Sequence, residues 1–256
     1  MIFLYHVILL LLMTTANVAY AQSSNGVKKN YLRKPQTLMI PASLQPRTSP
    51  VMTIPYKAPV EAPLILIDPG HGGDDYGTNS SGISKYHEKY LNLSTSELVR
   101  NFLLQFGYRV FMTRTDDTFI SLEERTNIAN QRNPVLFVSI HYNSAPNPIA
   151  EGIEVFYYRD DRNKARSNKS KLLAQSILDK TLQRTQAKSR GVKHGNLAVI
   201  RETNMAAILI EGGFMSSASE MEKIKKVSYQ KSLALGIAQG IQDYLNKQGI
   251  TPVASK

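Results

Sequence analysis

The sequence contains no cysteine and no tryptophan. Without cysteine the chain cannot form a disulfide, and it offers neither a thiolate nucleophile nor a thiolate metal ligand. Any metal site must therefore use histidine and carboxylate side chains, and only five histidines are present. With 42% hydrophobic and 20% charged residues, the 256-residue chain has the composition of a globular protein with a sizeable core.

The amino-terminal segment has the features of an export signal. Residues 1–21 contain an apolar stretch too short to span a bilayer comfortably, and the small residues Ala19 and Ala21 follow it. This pattern predicts a signal peptide over 1–21 and therefore an exported protein, located in the periplasm or cell envelope. No lysine or arginine precedes the apolar stretch, so an uncleaved membrane anchor stays open as the alternative.

Acidic residues are scarce in the segment that follows. Between residues 22 and 63, six basic residues face one acid, and seven of the twelve prolines fall there. Prolines at this density exclude a helix or a central strand, so we predict an extended basic linker over 22–61. In an exported protein this charge favours weak attraction to an anionic envelope polymer or membrane over nucleic acid. A solvated linker without a partner is the alternative.

From residue 64 onward, strand patterns alternate with helix patterns. Apolar runs predict strands at 64–68, 108–113, 135–141, 154–158, 197–200 and 206–211, with 154–158 at a sheet edge. Helical spacing and a Ser121 capping box predict helices over about 91–106, 121–131, 164–187 and 229–247. This alternation predicts a single three-layer α/β domain over 62–247, with a mostly parallel central sheet flanked by helices, and a tail at 248–256.

Unusual polar residues stand where three of the apolar runs end. LILID is followed by PGHGG with His71, VLFVSI by His141, and AILI by Glu211. Ligands of open α/β sheets bind beyond the carboxyl ends of the strands, so we expect these side chains to converge at one edge. Glu88, at the start of the first long helix, would begin at that same edge.

These residues suit metal-assisted hydrolysis. The imidazoles of His71 and His141 with the carboxylate of Glu88 form the ligand set of a catalytic zinc that keeps a position open for water, and Glu211 would then be the general base. Taken singly, each residue also has an ordinary interpretation, as a surface histidine, a core histidine or a helix cap. His87 competes with Glu88 as a ligand, and we expect His87 and His194 to be bystanders near the cleft.

Several motifs occur in a fixed order between residues 62 and 245: LILIDPGHGG, HEKYLNL, TRTDD with SLEERTNIAN, VSIHYNS, and GVKHGNLAVIRETNMAAILIEGGFMSS. In this order they resemble the zinc-dependent N-acetylmuramoyl-L-alanine amidases, the amidase_3 family of cell-wall hydrolases. The resemblance implies a Zn²⁺ ion held by His71, Glu88 and His141, with Glu211 as the catalytic carboxylate. It also implies peptidoglycan as the partner, cleaved at the amide between N-acetylmuramic acid and the L-alanine of the stem peptide. The resemblance also favours Glu88 over His87 as the third metal ligand.

Supporting roles follow for three more residues. Asn143 lies two residues beyond His141, on the same face of a strand, and is expected to contact substrate. We expect Asp68 to orient a metal ligand, and Arg125 to form an ion pair on its own helix.

Two other functions stay open. Ser228 and Lys231 match the SxxK pattern of penicillin-sensitive serine carboxypeptidases, although we expect Ser228 to cap the last helix instead. A peptidoglycan-binding module without catalysis is the second alternative. The sequence points to no particular activator protein.

Overall fold

The computed structural model describes residues 62–80 and 86–252. The predicted signal peptide over 1–21 and the basic linker over 22–61 lie outside the described residues and stay predictions. Within the described ranges, no helix combines the length and the apolar character that crossing a bilayer requires.

The regular elements run from Leu64 to Lys247. The strands are β1 (Leu64–Pro69), β2 (Arg109–Met112), β3 (Leu136–Asn143), β4 (Ile153–Tyr157), β5 (Ser189–His194) and β6 (Ala206–Phe214). The helices are α1 (Glu88–Gln105), α2 (Leu122–Arg132), α3 (Lys164–Thr185), α4 (Ala198–Arg201), α5 (Ala218–Ile224) and α6 (Val227–Lys247). Beyond α6, Ile250 of the predicted tail packs against the core.

The strands form one sheet in the order β2-β1-β3-β6-β4-β5. β2, β1, β3 and β6 run parallel to one another, β4 runs antiparallel to β6, and β5 is parallel to β4. The predicted mostly parallel sheet is confirmed. The predicted edge position of 154–158 is wrong, because β4 lies between β6 and β5.

Helices cover both faces of the sheet. Ile65 and Ile67 of β1 face the larger core, which α1, α3 and α6 complete, whereas Leu66 faces the smaller core beneath α2 and α4. The central strands are therefore buried on both faces, which is why they appear in the sequence as continuous apolar runs. The predicted single three-layer α/β domain is confirmed.

One local prediction is wrong, and two elements were missed. The run at 197–200, predicted as a strand, enters the four-residue helix α4, because a short apolar run does not by itself distinguish a strand from a buried helical turn. Strand β5 and helix α5 were not predicted. β5 is an edge strand of mostly polar and basic residues, held by its backbone pairing with β4.

The two predicted serine caps have different outcomes. Ser121 caps α2, and its side chain accepts a hydrogen bond from the Glu124 backbone N–H, as predicted. Ser228 does not cap α6, because the helix begins earlier and Lys226 occupies the N-cap position. Ser228 therefore lies within the first turn of α6.

Candidate metal centre

Two imidazoles and a carboxylate meet at the carboxyl edge of the parallel strands. His71 follows β1, His141 lies near the end of β3, and Glu88 is the first residue of α1. His71 Nε2 lies 3.1 Å from Glu88 Oε2, and His141 Nδ1 lies 2.9 Å from Glu88 Oε1. One potential ligand atom from each residue lies within 4.8 Å of the other two. The structure therefore brings together the three predicted metal ligands.

The loop after β1 presents His71 in an unusual backbone conformation. His71 has φ of 60°, in the left-handed region that non-glycine residues rarely adopt. Asp75 Oδ2 lies 2.8 Å from His71 Nδ1, which directs Nε2 of the same ring toward Glu88. Gly70 lies directly against the other imidazole, since a Cβ there would come within 2.1 Å of the His141 ring. The close approach of backbone and ring at this point requires glycine.

Two buried arginines hold this loop by its carbonyl oxygens. Arg125 donates to Pro69 O and His71 O, both at 2.7 Å, and Arg114 donates to Pro69 O at 3.0 Å and Gly70 O at 2.7 Å. Asp68 is fully buried and accepts from Arg125 Nη1 at 2.7 Å. The predicted Arg125 ion pair on its own helix is therefore wrong, because its carboxylate partner comes from β1. Among the described residues, the Asp68 carboxylate accepts hydrogen bonds from Thr113, Arg125 and Ser139, and its link to the loop of His71 runs through Arg125.

Several donors surround the Glu88 carboxylate. It accepts hydrogen bonds from the Thr78 backbone N–H at 2.9 Å, the Tyr142 backbone N–H at 3.2 Å and Asn92 Nδ2 at 3.1 Å. Burial acts to raise the pKa of Glu88, but its hydrogen bonds with His141 and His71 hold that pKa well below the usual range. Glu88 is therefore ionised at neutral pH, as a metal ligand must be.

Glu211 lies beside this cluster, and its pKa is shifted in the opposite direction from that of Glu88. On β6 it pairs in register with His141 of β3, so the two side chains share one face of the sheet. Its Oε2 atom is buried and has no hydrogen-bond partner among the described residues. Burial, with the negative charges of Glu88 and Glu154, raises the pKa of Glu211 well above its usual value. A buried carboxylate oxygen without a partner is uncommon in proteins, and a catalytic role is one of its ordinary explanations.

A set of charged residues that the sequence analysis missed continues the site beyond β6. Glu154 of β4 pairs in register with Glu211 and is buried. It accepts from Arg190 Nε at 3.0 Å, from Lys193 Nζ at 2.5 Å and from Asn143 Nδ2 at 2.7 Å. The sequence signal was an acidic residue inside the apolar run EVFYY. The amide of Asn143, predicted to contact substrate, thus has a protein partner in Glu154, and a register shift separates Asn143 from His141.

A cleft of about 420 Å³ opens in front of the two histidines, between α2 and α4. His71 and His141 line it together with Asp75 and Arg125. Its apolar rim includes the exposed side chains of Phe119, Leu122 and Leu197. The site is therefore accessible to a large substrate.

The remaining candidates lie elsewhere. His87 Nδ1 lies 2.5 Å from Asn79 Oδ1, and its ring packs against Tyr76 rather than against the cluster. His194 lies on the edge strand β5, where Nδ1 accepts from the Arg159 backbone N–H. Neither histidine lines the 420 Å³ cleft.

The serine-enzyme alternative has no comparable site. Ser228 and Lys231 are both exposed on the first turns of α6, and neither lines the cleft in front of the histidines. A serine nucleophile needs an activating base that is held close to it and shielded from solvent. The exposed pair lacks that environment.

Comparison with known proteins decides the family. Residues 65–243 match the family model Amidase_3, described as N-acetylmuramoyl-L-alanine amidase. The chain belongs to the Amidase_3 family. The resemblance predicted from the motifs is confirmed, and so is the predicted enzyme class, N-acetylmuramoyl-L-alanine amidase.

Individual Amidase_3 relatives agree with this assignment. The sporulation-specific N-acetylmuramoyl-L-alanine amidase of Bacillus subtilis is 35% identical over 184 residues, which are 71% of this chain and 68% of that protein. The crystal structure of an N-acetylmuramoyl-L-alanine amidase from Clostridium difficile 630 is 41% identical, with a TM-score of 0.69 over 73% of this chain and 99% of its own. The CwlD amidase from Clostridioides difficile, solved in complex with the GerS lipoprotein, is 28% identical, with a TM-score of 0.67 over 72% of this chain and 99% of its own.

Proposed function

We propose that this chain hydrolyses the amide bond between N-acetylmuramic acid and the L-alanine of the peptidoglycan stem peptide. We also propose that Zn²⁺ is held by His71, Glu88 and His141, with Glu211 as the catalytic carboxylate. One observation supports this most directly. Three potential ligand atoms lie within 4.8 Å of one another, and His141, which carries one of them, pairs in register with Glu211, whose buried Oε2 has no partner among the described residues.

The residues present suit a zinc ion. Two imidazoles and one carboxylate are a ligand set of catalytic zinc sites, which keep a coordination position open. Asp75 binds the far nitrogen of His71, and a carboxylate on the outer nitrogen of a metal-binding histidine is a common arrangement. Glu88 contacts both imidazoles through its two carboxylate oxygens, so the side chains of all three proposed ligands face one another.

Zinc, when bound, supplies a Lewis acid that polarises a carbonyl oxygen and lowers the pKa of water to about 7. Glu211 would accept the proton that the attacking water loses, at the Oε2 atom, and would deliver it to the leaving nitrogen. The burial that raises its pKa favours a carboxyl group able to hold that proton between the two steps. Arg114 and Arg125 keep the loop of His71 in place while this happens.

Substrate and predicted export together indicate where the enzyme acts. We propose action in the cell envelope, in cell-wall remodelling or daughter-cell separation, after export directed by residues 1–21. The basic segment 22–61 would add weak, salt-sensitive attraction to an anionic envelope polymer or membrane.

The test uses the purified full chain and a muramoyl-peptide fragment whose products are identified by mass. We expect release of the intact stem peptide, loss of activity with a chelator, and recovery with Zn²⁺. Glu211→Gln, which keeps the side-chain size, should bind Zn²⁺ and release no peptide. Binding of the fragment without cleavage by the wild-type chain would instead support the non-catalytic binding module. Penicillin labelling that disappears in Ser228→Ala would support the serine carboxypeptidase.

A further inference from the structure

A second cavity, of about 340 Å³, opens at the amino edge of the parallel strands. Val135, just before β3, and Ala206, the first residue of β6, line this amino-edge cavity together with residues from the start of α3 and the end of α6. Glu211 lies five residues beyond Ala206 on β6. A strand advances about 3.3 Å per residue, so the cavity lies roughly 17 Å from Glu211. It is therefore separate from the candidate metal centre.

The amino-edge cavity is lined by cations and by no acid. Arg166 and Lys169, both on α3, are its two charged lining residues. Among the described residues that line it, there is no aspartate and no glutamate. Amide side chains also line it, from Asn163, Asn204 and Gln248. A cavity of this composition attracts an anion.

Arg166 is buried, and one of its nitrogens is unused. The residue is 8% exposed. Nε donates to Met205 O at 3.0 Å, and Nη2 donates to Ile200 O and Thr203 Oγ1. A guanidinium group has five N–H donors, and these three bonds leave both donors of Nη1 without an acceptor among residues 62–80 and 86–252. Nη1 is not fully enclosed by protein, so a ligand can reach it.

The charge of Arg166 has no direct partner either. In the part of the chain that the structure describes, Arg166 forms no ion pair, and Asp160 and Glu202 attract its charge only from farther away. Burial lowers the pKa of Arg166 from its usual value, because the charged form has lost solvent. A buried cation without a counter-ion costs free energy, and a bound anion would offset that cost.

Tyr244 supplies a second unused donor to the same cavity. The residue is 4% exposed and lines the cavity from the last turn of α6. Its hydroxyl makes no hydrogen bond within the described ranges, and burial raises its pKa. The oxygen is nevertheless not fully enclosed by protein. A buried tyrosine hydroxyl usually has a partner, so the cavity presents this group to a ligand.

We propose that the amino-edge cavity binds a phosphate group. Bidentate recognition of a carboxylate by arginine uses two nitrogens in parallel, whereas protein oxygens already occupy Nε and Nη2 of Arg166. Nη1 of Arg166, the Lys169 ammonium and the Tyr244 hydroxyl are donors on three different side chains, which suits the tetrahedral oxygens of phosphate. Lysine binds phosphate as a point charge. Apolar lining residues offer contacts to an organic group on the phosphate, and these are Val135, Met205, Leu245 and Ile250.

The test measures binding to the full chain by calorimetry, after a chelator has removed any metal ion that could itself bind phosphate. The ligands are glycerol phosphate, inorganic phosphate and acetate. We expect glycerol phosphate to bind and acetate to bind at least about ten-fold more weakly, because acetate carries less charge and fewer acceptor oxygens. Tyr244→Phe removes only the hydroxyl and should weaken phosphate binding about ten-fold, as for a hydrogen bond to a charged group. Lys169→Gln should weaken it about three-fold, because this lysine is exposed.

Lys171→Gln is the matched control, because Lys171 is exposed on the same helix and does not line the cavity. It should bind glycerol phosphate as the wild type does. Wild-type affinity in both Tyr244→Phe and Lys169→Gln would overturn the site, and so would the absence of phosphate binding to the wild-type chain. Acetate bound as tightly as glycerol phosphate would overturn the assignment to phosphate.

The source of the phosphate is decided by two further comparisons. Inorganic phosphate bound as tightly as glycerol phosphate, and equally sensitive to Tyr244→Phe, would identify free phosphate as the ligand. Sedimentation with phosphatidylglycerol vesicles tests a lipid headgroup, with Tyr244→Phe as the comparison because the chain carries a net charge of +11 that attracts any anionic surface. Vesicle binding that Tyr244→Phe weakens would identify a lipid. Vesicle binding that it leaves unchanged, with weakened binding of glycerol phosphate, would identify a phosphate ester outside the membrane.

Discussion

Gly70→Ala should displace one proposed metal ligand without touching any ligand side chain directly. A Cβ at Gly70 would lie 2.1 Å from His141 Cε1, so the ring must move by about 1.3 Å to reach the 3.4 Å at which ordinary contacts begin. Metal–ligand distances tolerate deviations of only about 0.2 Å. The displaced imidazole would therefore leave the ion with two protein ligands.

Substituting a residue that only hydrogen-bonds a metal ligand weakens metal binding by about 10- to 100-fold. Displacing a ligand itself should weaken zinc binding by more than that. We expect Gly70→Ala to bind Zn²⁺ more than about 100-fold more weakly than the wild type, measured by competition with a chromophoric chelator. Thermal unfolding of the zinc-free proteins shows whether the variant folds. Gly195→Ala is the control, because the nearest atoms to its Cβ would belong to Phe156 and Leu197 and not to one of the three proposed ligands. A folded Gly70→Ala protein with zinc affinity within three-fold of the wild type would refute this account of His141.

Three other substitutions test the surroundings of the site. Asp75→Asn removes the charge that orients His71 and should weaken zinc binding by about 10- to 100-fold in the same competition assay, with little change in unfolding. Arg125→Met leaves the Asp68 carboxylate buried without its cation and should cost about 3–5 kcal/mol in urea unfolding, and adding Asp68→Asn should recover part of that loss. Glu211→Gln should stabilise the zinc-free protein at pH 7, because the raised pKa of Glu211 means that its ionised form opposes folding. This gain should shrink as the pH falls through 4.5, because below that pH the carboxyl group is neutral in both the folded and the unfolded state. A gain independent of pH would contradict the explanation.

The residues of the candidate centre were predictable because each stands at the end of a strong local pattern. His71, His141 and Glu211 follow the apolar runs of buried strands, and Glu88 begins an amphipathic helix. Parallel strands bring their carboxyl ends to one edge, so neighbouring strands alone suffice to bring these side chains together. Here local sequence and global fold agree.

Other elements were not predictable because their stability comes from partners distant in sequence. β5 has the sequence SRGVKH and is held by backbone hydrogen bonds to β4. Its side chains show no alternation of apolar and polar residues that would predict a strand. The run at 197–200 carries four apolar residues whether it forms a strand or a helical turn. Lys226 rather than Ser228 occupies the N-cap of α6, although serine is the better capping residue by intrinsic preference.

By itself, the sequence determined the α/β class, the parallel core strands and the identity of the residues that meet around Glu88. Periodicity and the ends of strands are local properties of the sequence. A strand buried on both faces appears in the sequence as a continuous apolar run. Only the tertiary structure decided that β4 reverses direction between β6 and β5 and so sets Glu154 beside Glu211. Strand order depends on the packing of the whole sheet, and Arg190 and Lys193 acquire their partner Glu154 only once that order exists.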